Sequence, residues 1–128
     1  MRRRGFTLIE LLVVMAIVAT LLTIAAPRYF GHVEKAREAA LRETLAVVRD
    51  AIDKYHADNG RYPSDLQVLV QQRYLARAPR DPMTEHVDDW TLVPAPNEPG
   101  IWDLHSSSAG VSRQLEPASG ESNRYVDW

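Results

Sequence analysis

The first 26 residues, MRRRGFTLIELLVVMAIVATLLTIAA, decide how this chain is organised. Three arginines, Arg2 to Arg4, precede a segment from Phe6 to Ala26 in which Glu10 is the only ionisable side chain. At 1.5 Å per helical residue this segment spans roughly 30 Å, which is the thickness of the hydrocarbon core of a bilayer. The segment is therefore predicted to cross a membrane as a helix, with the arginines on the cytoplasmic side.

The composition of the whole chain limits the functions it can have. It has 128 residues, a formal net charge of -2 and no cysteine, which excludes disulfides, zinc-thiolate sites and a thiol nucleophile. It contains no Gly-x-Ser-x-Gly, phosphate-binding loop, dinucleotide fingerprint or His-Glu-x-x-His motif. We therefore do not expect an enzyme.

The apolar segment differs from an ordinary secretory signal. Such signals have an apolar region of about 7 to 15 residues followed by a small-x-small cleavage site. The segment from Phe6 to Ala26 is longer and contains no Ala-x-Ala. We therefore expect it to be retained as an anchor, with everything after Pro27 on the far side of the membrane.

Glu10 stands out because a carboxylate within an apolar segment costs about 2.5 to 3.5 kcal/mol on insertion scales. One explanation is that Glu10 lies at the membrane edge near the arginines and reaches water. The other is that its charge has a partner.

The sequence Gly5-Phe6-Thr7-Leu8-Ile9-Glu10, after a short basic leader, resembles the processing signal of the type IV pilin-like superfamily of type IV pilins and type II secretion pseudopilins. The resemblance implies cleavage after Gly5 by a prepilin peptidase, methylation of the new Phe6 amine, and retention of the apolar helix. It also implies that Glu10 pairs with the amino terminus of a neighbouring subunit during filament assembly. Because Phe6 and Glu10 are four residues apart on one helix, a pair within one chain is the alternative.

Pro27 occupies the position at which the family commonly carries a proline. Proline lacks an N-H and clashes with the carbonyl four residues earlier, so it bends or ends a helix. We favour a kink over a simple stop, because helical patterning resumes at once in residues 33–40.

After Pro27 the helical pattern becomes amphipathic. Its apolar positions recur at spacings of three and four, and they are Leu41, Leu45, Val48, Ile52 and Tyr55. Asn59-Gly60 is the stop signal. The apolar stripe could form a coiled coil, but the short C-terminal part needs a surface to cover, so we expect the stripe to pack on that part.

The C-terminal part contains signals for three small elements. Ser64-Asp65-Leu66-Gln67 fits a capping box that opens a short helix. Residues 90–93 and 101–105 are predicted strands of an antiparallel hairpin. The tail from Ser106 to Asn123 is predicted to be a loop whose end is pinned by Tyr125 and Trp128.

These signals predict an α+β fold, in which a long N-terminal transmembrane and amphipathic helix packs on a small antiparallel β-sheet head. Four segments follow: a cleaved leader at 1–5, a transmembrane and filament-core segment at 6–26, an amphipathic continuation at 27–58, and a head at 59–128.

The head extends the resemblance over nearly the whole chain, because residues 59–63, Asp81-Pro82 and residues 102–106 are similar to the major pseudopilins of type II secretion. That subfamily typically binds calcium in its C-terminal loop. Here residues 106–111 lack the usual aspartate, so calcium is an alternative and no required cofactor is expected. The candidate ligands are Ser106, Ser108, Glu121 and Asp127.

Other chemistries are weaker in this sequence. The four histidines lack metal-binding spacings, and His86 with Asp88 and Asp89 is explained by a charged turn. Loss of the three leader arginines leaves 12 basic and 17 acidic residues, a charge of -5, which disfavours nucleic acid binding. A basic patch of Arg73, Arg77 and Arg80 is the alternative.

The resemblance implies a subunit stored in the bacterial inner membrane, with its head in the periplasm. It would polymerise with copies of itself and with other pseudopilins, after cleavage by the peptidase, on an inner-membrane platform with an ATPase. The first alternative is a type IV pilus subunit for adhesion, motility or DNA uptake. The second is a signal-anchored periplasmic binding domain or enzyme.

Overall fold

The computed structural model describes residues 5–112 and 122–128, and its fold is α+β as predicted. The elements are α1 (Leu8–Asn59), α2 (Leu66–Gln71), β1 (Trp90–Pro94) and β2 (Ile101–Ser106), followed by a 3-10 turn at Tyr125–Asp127. The chain divides into an N-terminal unit, Met1–Lys35, and a C-terminal unit, Ala36–Trp128, with the boundary inside α1.

The N-terminal unit contains the apolar part of α1, whose large apolar side chains from Phe6 to Phe30 are between 44% and 88% exposed. The hydroxyls of Thr20 and Thr23 donate to the carbonyls of Ala16 and Ala19, at 2.8 and 2.9 Å. Polar side chains in this segment are thus satisfied by the helix itself. The helix continues through Pro27, so a simple stop at this residue is wrong.

In the C-terminal unit, the predicted stripe of α1 forms the core. Leu41, Leu45, Val48, Ile52 and Tyr55 are at most 3% exposed and pack with Leu69, Trp90 and Leu104. The prediction that this stripe packs on the C-terminal part of the chain is confirmed.

The first helix ends where the sequence predicted. Gly60 has a φ of +65° and its N-H donates to the carbonyl of His56 at 2.8 Å. A glycine adopts this left-handed conformation without the steric cost of a Cβ, which makes Gly60 a good C-terminal cap.

The cap of α2 differs from the prediction by one residue. Asp65, not Ser64, is the N-cap, and its Oδ1 accepts the N-H of Val68 at 3.0 Å. A carboxylate is favoured at this place because it both accepts the hydrogen bond and carries negative charge toward the helix N-terminus. The motif was correctly located, but the wrong member of Ser64-Asp65 was chosen as its cap.

The predicted hairpin is confirmed, with Trp90 opposite Ser106 and Leu92 opposite Leu104. Ile101 and Leu104 point into the core and are at most 6% exposed. The indole N-H of Trp90 donates to the carbonyl of Pro79 at 3.0 Å, which satisfies the one polar atom of that side chain.

The C-terminus is pinned by the two predicted aromatic residues. The Tyr125 hydroxyl donates to Glu38 at 2.9 Å, and both side chains are buried. The Trp128 ring stands edge-on to Tyr125 at 5.1 Å, and the Arg42 guanidinium lies 4.5 Å from its centroid. Half of the predicted tail loop, residues 113–121, lies outside the described part of the chain.

Candidate assembly and processing site

The predicted cleavage position is open to another protein. Gly5 and Phe6 precede α1 in non-helical backbone, and the Phe6 side chain is 88% exposed. A Cβ built on Gly5 meets no atom within 4 Å. The chain itself therefore places no steric demand for glycine at this position, and any such demand must come from a protein that acts on it.

Glu10 takes part in a hydrogen-bonded cap at the start of α1. Its Oε2 accepts the backbone N-H and the hydroxyl of Thr7, each at 3.2 Å, and its own N-H donates to the Thr7 hydroxyl at 3.3 Å. This reciprocal pattern is a capping box, which satisfies donors that the first helical turn leaves unpaired.

Thr7 is the functional residue that the sequence reasoning missed. Thr7-Leu8-Ile9-Glu10 immediately before an apolar run has the form Ser/Thr-x-x-Glu, which is a known signal of a helix start. In the uncleaved chain the Phe6 nitrogen belongs to a peptide bond and carries no ammonium charge. The pairing of Glu10 with a free amino terminus, in the same or a neighbouring chain, therefore stays a prediction for the cleaved protein.

The segment that follows Glu10 has the length and composition to cross a membrane. Within α1 an 18-residue window reaches a mean hydropathy of 2.6, and none of that window is buried in the protein. A helix with apolar side chains on every face lies in lipid or against other helices. Pro27 lies at the polar end of this segment, followed by Arg28.

Three of the four calcium candidates, Ser106, Ser108 and Asp127, lie in the described residues, where each takes part in hydrogen bonds within the protein. The Ser106 hydroxyl donates to Asp81 at 2.6 Å, and Ser108 accepts the N-H of Gly110. Asp127 instead accepts from Ser122 at 2.5 Å. Glu121 lies outside the described residues.

Calcium takes six to eight oxygen ligands, usually including several carboxylates. Across residues 5–112 and 122–128 there is no group of three or more acidic or histidine side chains that could hold a metal. The Ser107 hydroxyl is buried without a hydrogen-bond partner in this part of the chain, but one hydroxyl is not a calcium site. Calcium binding by this loop therefore stays an untested alternative.

Asp81 has a structural role that turn chemistry alone did not reveal. It is fully buried, and its carboxylate accepts the Ser106 hydroxyl at 2.6 Å and the N-H of Met83 at 2.8 Å. One carboxylate thus joins the turn after Asp81 to the end of β2. A buried charge bonded in this way holds two segments together, because loss of either partner leaves it unsatisfied.

The comparisons with known proteins agree with this arrangement of a short leader, an apolar helix and a small C-terminal unit. The family described as "Prokaryotic N-terminal methylation motif" matches residues 1–26. No solved structure matches the chain.

Curated relatives extend the similarity beyond the N-terminus. The chain is 32% identical over 122 residues to the type II secretion system core protein G of Escherichia coli K12, covering 83% of this chain and 81% of the relative. It is 33% identical over 121 residues to the protein of that name from Klebsiella pneumoniae, covering 82% and 84%. It is also 35% identical over 63 residues to the fimbrial protein EcpC of Eikenella corrodens, covering 49% and 41%.

The similarity to the core protein G relatives runs through both units, whereas the similarity to the fimbrial protein covers about half of each chain. The chain carries the N-terminal methylation motif of type IV pilin-like proteins and belongs to the family of the type II secretion system core protein G.

Proposed function

We propose that this protein is a structural pseudopilin subunit, which polymerises through α1 into a periplasmic filament that drives type II protein secretion. The observation that carries this proposal is the apolar part of α1, which exposes its side chains on every face and has Glu10 at its start. Such a helix needs partners outside its own chain. Membrane lipid supplies them before assembly, and other copies of α1 supply them in the filament.

Glu10 supports assembly by a specific electrostatic contact. Exchanging lipid for neighbouring helices gives little hydrophobic gain, because lipid tails are as apolar as the helix. Two unit charges 4 Å apart attract by about 4 kcal/mol at an effective dielectric constant of 20. The attraction between Glu10 and the amino terminus of the next subunit is therefore similar in magnitude to the free energy cost of placing a carboxylate in the membrane.

Four partners follow from this function. A prepilin peptidase cleaves after Gly5 on the cytoplasmic side of the inner membrane and leaves a methylated Phe6. Because packing alone gives little free energy for extraction from lipid, an ATPase and an inner-membrane platform drive assembly. Other pseudopilins share the filament, and the C-terminal unit lies in the periplasm.

No catalytic step and no metal are assigned to this subunit. The described candidate ligands are engaged in hydrogen bonds within the protein, and Asp81 with Ser106 already joins two of its segments. The charge of -5 after cleavage makes nucleic acid an unfavourable partner. Arg80 of the suggested basic patch donates to the Glu85 carbonyl at 2.8 Å.

A type IV pilus subunit is the second candidate, and the similarity to a fimbrial protein favours it. A strain that lacks the gene should lose secretion if the first proposal holds, and regain it with the intact chain. Loss of surface pili with normal secretion would favour the second candidate. A C-terminal unit that is active without filaments would favour a membrane-anchored enzyme or binding protein and contradict both.

A further inference from the structure

Five large apolar side chains remain exposed in the described part of the C-terminal unit, and they are Val47, Val87, Leu92, Trp102 and Val111. Single exposed apolar residues are common on protein surfaces. Trp102 differs from the other four by its residue type, because tryptophan is among the residues that most often dominate the binding energy at protein interfaces. Its side chain is 46% exposed.

Trp102 is presented to solvent by an irregularity of the hairpin. Pro94 is opposite Ile101 and Val93 is opposite Asp103, so Trp102 is an extra residue on β2 without a cross-strand partner. Such a bulge turns a side chain away from the regular alternation of the strand.

The residues on both sides of the bulge are held firmly. The Ile101 N-H donates to the Pro63 carbonyl at 2.8 Å, and Asp103 accepts Arg49 at 2.6 Å. A side chain displayed from a fixed backbone loses less conformational freedom when it is bound. Trp102 is therefore well placed to act as an anchor in a contact with another protein.

An apolar groove of about 560 Å³ lies elsewhere on the same unit. Val47 of α1 and Val87 of the loop before β1 both line it and are 48% and 51% exposed. Leu75, Ala76, Ala78 and Pro79 supply further apolar lining, and Glu43, Arg77 and Arg80 supply charged side chains. The groove thus combines an apolar surface with arginine side chains, and a guanidinium group can pack over the face of an aromatic ring.

A growing filament restricts which surfaces can meet. A two-fold contact joins the same patch on both subunits and closes at a dimer, whereas an open filament needs two different patches that fit each other. A Trp102 that takes part in a filament contact therefore meets a surface other than the Trp102 region of the next subunit.

A second groove, lined by Arg42, Arg49 and Trp128, is a poorer receptor for an indole ring. Arg42 already lies over the Trp128 ring at 4.5 Å, and Arg49 is already paired with Asp103. In the groove of Val47 and Val87, by contrast, these two side chains and those of Ala76 and Ala78 are exposed. Two of the five exposed apolar residues border this one surface.

We propose that Trp102 of one subunit inserts into the groove between Val47 and Val87 of a second copy of this chain, and that Arg77 of that copy covers the indole ring. The proposal rests on the proposed function, because the filament brings copies together in one orientation. This contact joins the C-terminal units of neighbouring subunits, in addition to the packing of their apolar helices.

Photo-crosslinking tests the contact in the full-length chain during assembly. p-Benzoylphenylalanine at position 102 preserves an aromatic side chain, and we expect a cross-linked dimer whose attachment point maps to residues 43–48, 75–80 or 87 of the second copy. The same amino acid in place of Val111, which is 49% exposed, is the matched control and should not give this product. Filaments in which residue 102 cross-links to other positions, or does not cross-link between copies, would overturn the proposal.

Two substitutions give an independent test. Trp102→Ala and Val47→Glu should each reduce filament yield at least about fivefold, because truncating an interface anchor or charging its pocket costs more than about 1 kcal/mol. Both side chains are exposed, so unfolding of the C-terminal unit should change little. Val111→Ala, at another exposed apolar residue of the C-terminal unit, is the control. Wild-type filament yields from both test variants would reject this contact alone, whereas no filaments from the wild-type chain would reject the proposed function.

Discussion

In the uncleaved chain Glu10 is bonded to Thr7, and we expect it to gain a second partner after cleavage. Before cleavage its carboxylate accepts two hydrogen bonds from Thr7 and completes the cap of α1. Cleavage after Gly5 would create a charged amine at Phe6, which gives a carboxylate a stronger partner than a neutral donor. We therefore expect this one side chain to stabilise the helix start before cleavage and to set the position of subunits in the filament.

Substitution of Glu10 by glutamine and by alanine separates these two roles. Glutamine can still cap the helix but carries no charge, whereas alanine removes both functions. We expect both variants to insert into the membrane and both to form at least tenfold fewer filaments, since about 1.4 kcal/mol corresponds to a factor of ten. The measurement is filament yield by electron microscopy and shearing. A Glu10→Gln variant that assembles as well as wild type would show that capping, and not charge, is what assembly needs.

A hydrogen bond of Tyr74 can be tested through the pH dependence of the stability of the C-terminal unit. Its hydroxyl donates to Asp58 at 2.8 Å, and this hydrogen bond raises the pKa of Tyr74 above its ordinary value of 10.0. The folded state then holds the phenol proton more tightly than the unfolded state. The resulting stabilisation is present below pH 10 and is lost as pH rises through the raised pKa.

Tyr74→Phe retains the ring contact with Tyr55 and removes the titrating hydroxyl, so it is the matched variant. We expect wild type to be more stable than this variant near neutral pH, and the difference to decrease as the solution becomes strongly alkaline. Chemical denaturation at a series of pH values measures this difference in the free energy of unfolding. A stability difference that grows with alkaline pH would contradict the assigned hydrogen bond.

At the scale of elements, α1 uses two different patterns along one continuous helix. From Leu8 onward it is apolar on all faces, and in the C-terminal unit it has one buried stripe. The first pattern suits lipid or a bundle of helices, and the second suits packing on a small sheet. The boundary between the compact units, at Lys35 and Ala36, falls where the buried stripe begins with Glu38 and Leu41.

Substitution of Leu45 tests whether the buried stripe of α1 forms the core of the C-terminal unit. It is 2% exposed in the core, and Leu45→Ala should lower the free energy of unfolding of the C-terminal unit by about 2 to 5 kcal/mol. Val47→Ala, on an exposed face of the same helix, should change it by no more than about 0.5 kcal/mol. Denaturation of the full chain in detergent, followed by tryptophan fluorescence, measures both. Equal effects of the two substitutions would mean that the stripe is not the core of the unit.

Elements with strong periodicity were predictable, and local choices within them were less so. The spacing of Leu41, Leu45 and Val48 predicted the buried face, and two short strand-like stretches around a Pro/Asn/Gly-rich connection predicted the hairpin. The choice of Asp65 over Ser64 depends on the path of one turn, which periodicity does not describe. The bulge at Trp102 arises from the pairing of β1 with β2, and Asp81 meets Ser106 across 25 positions of sequence, so neither can be read from local patterns.

The candidate site was proposed from local sequence. Gly5, Phe6 and Glu10 belong to one short motif of adjacent residues, and their roles in processing and assembly stay predictions. The calcium candidates came from family resemblance, and the described ones belong to two separate hydrogen-bonded groups. A metal site needs ligands from separate segments in one place, and sequence alone does not report that distance.

At the scale of the whole molecule, the C-terminal unit should hold its structure without calcium. A ligand that binds only the folded protein raises stability by about 2.7 kcal/mol at a hundredfold excess over its dissociation constant. We expect the thermal midpoint of the intact chain to be unchanged between excess chelator and millimolar calcium. Magnesium at the same ionic strength is the control. A midpoint that rises steadily with calcium, and not with magnesium, would contradict this expectation.

The account as a whole requires that the apolar helix stays on the mature protein and begins at Phe6. Intact-mass and fragment spectra of the protein purified from membranes test this most directly, with Gly5→Ala as the comparison because a Cβ at Gly5 meets no atom of the chain. We predict a wild-type chain that starts at methylated Phe6 and contains the apolar segment, and a variant that keeps its leader. A native chain that starts beyond Ala26, without the apolar segment, would contradict it.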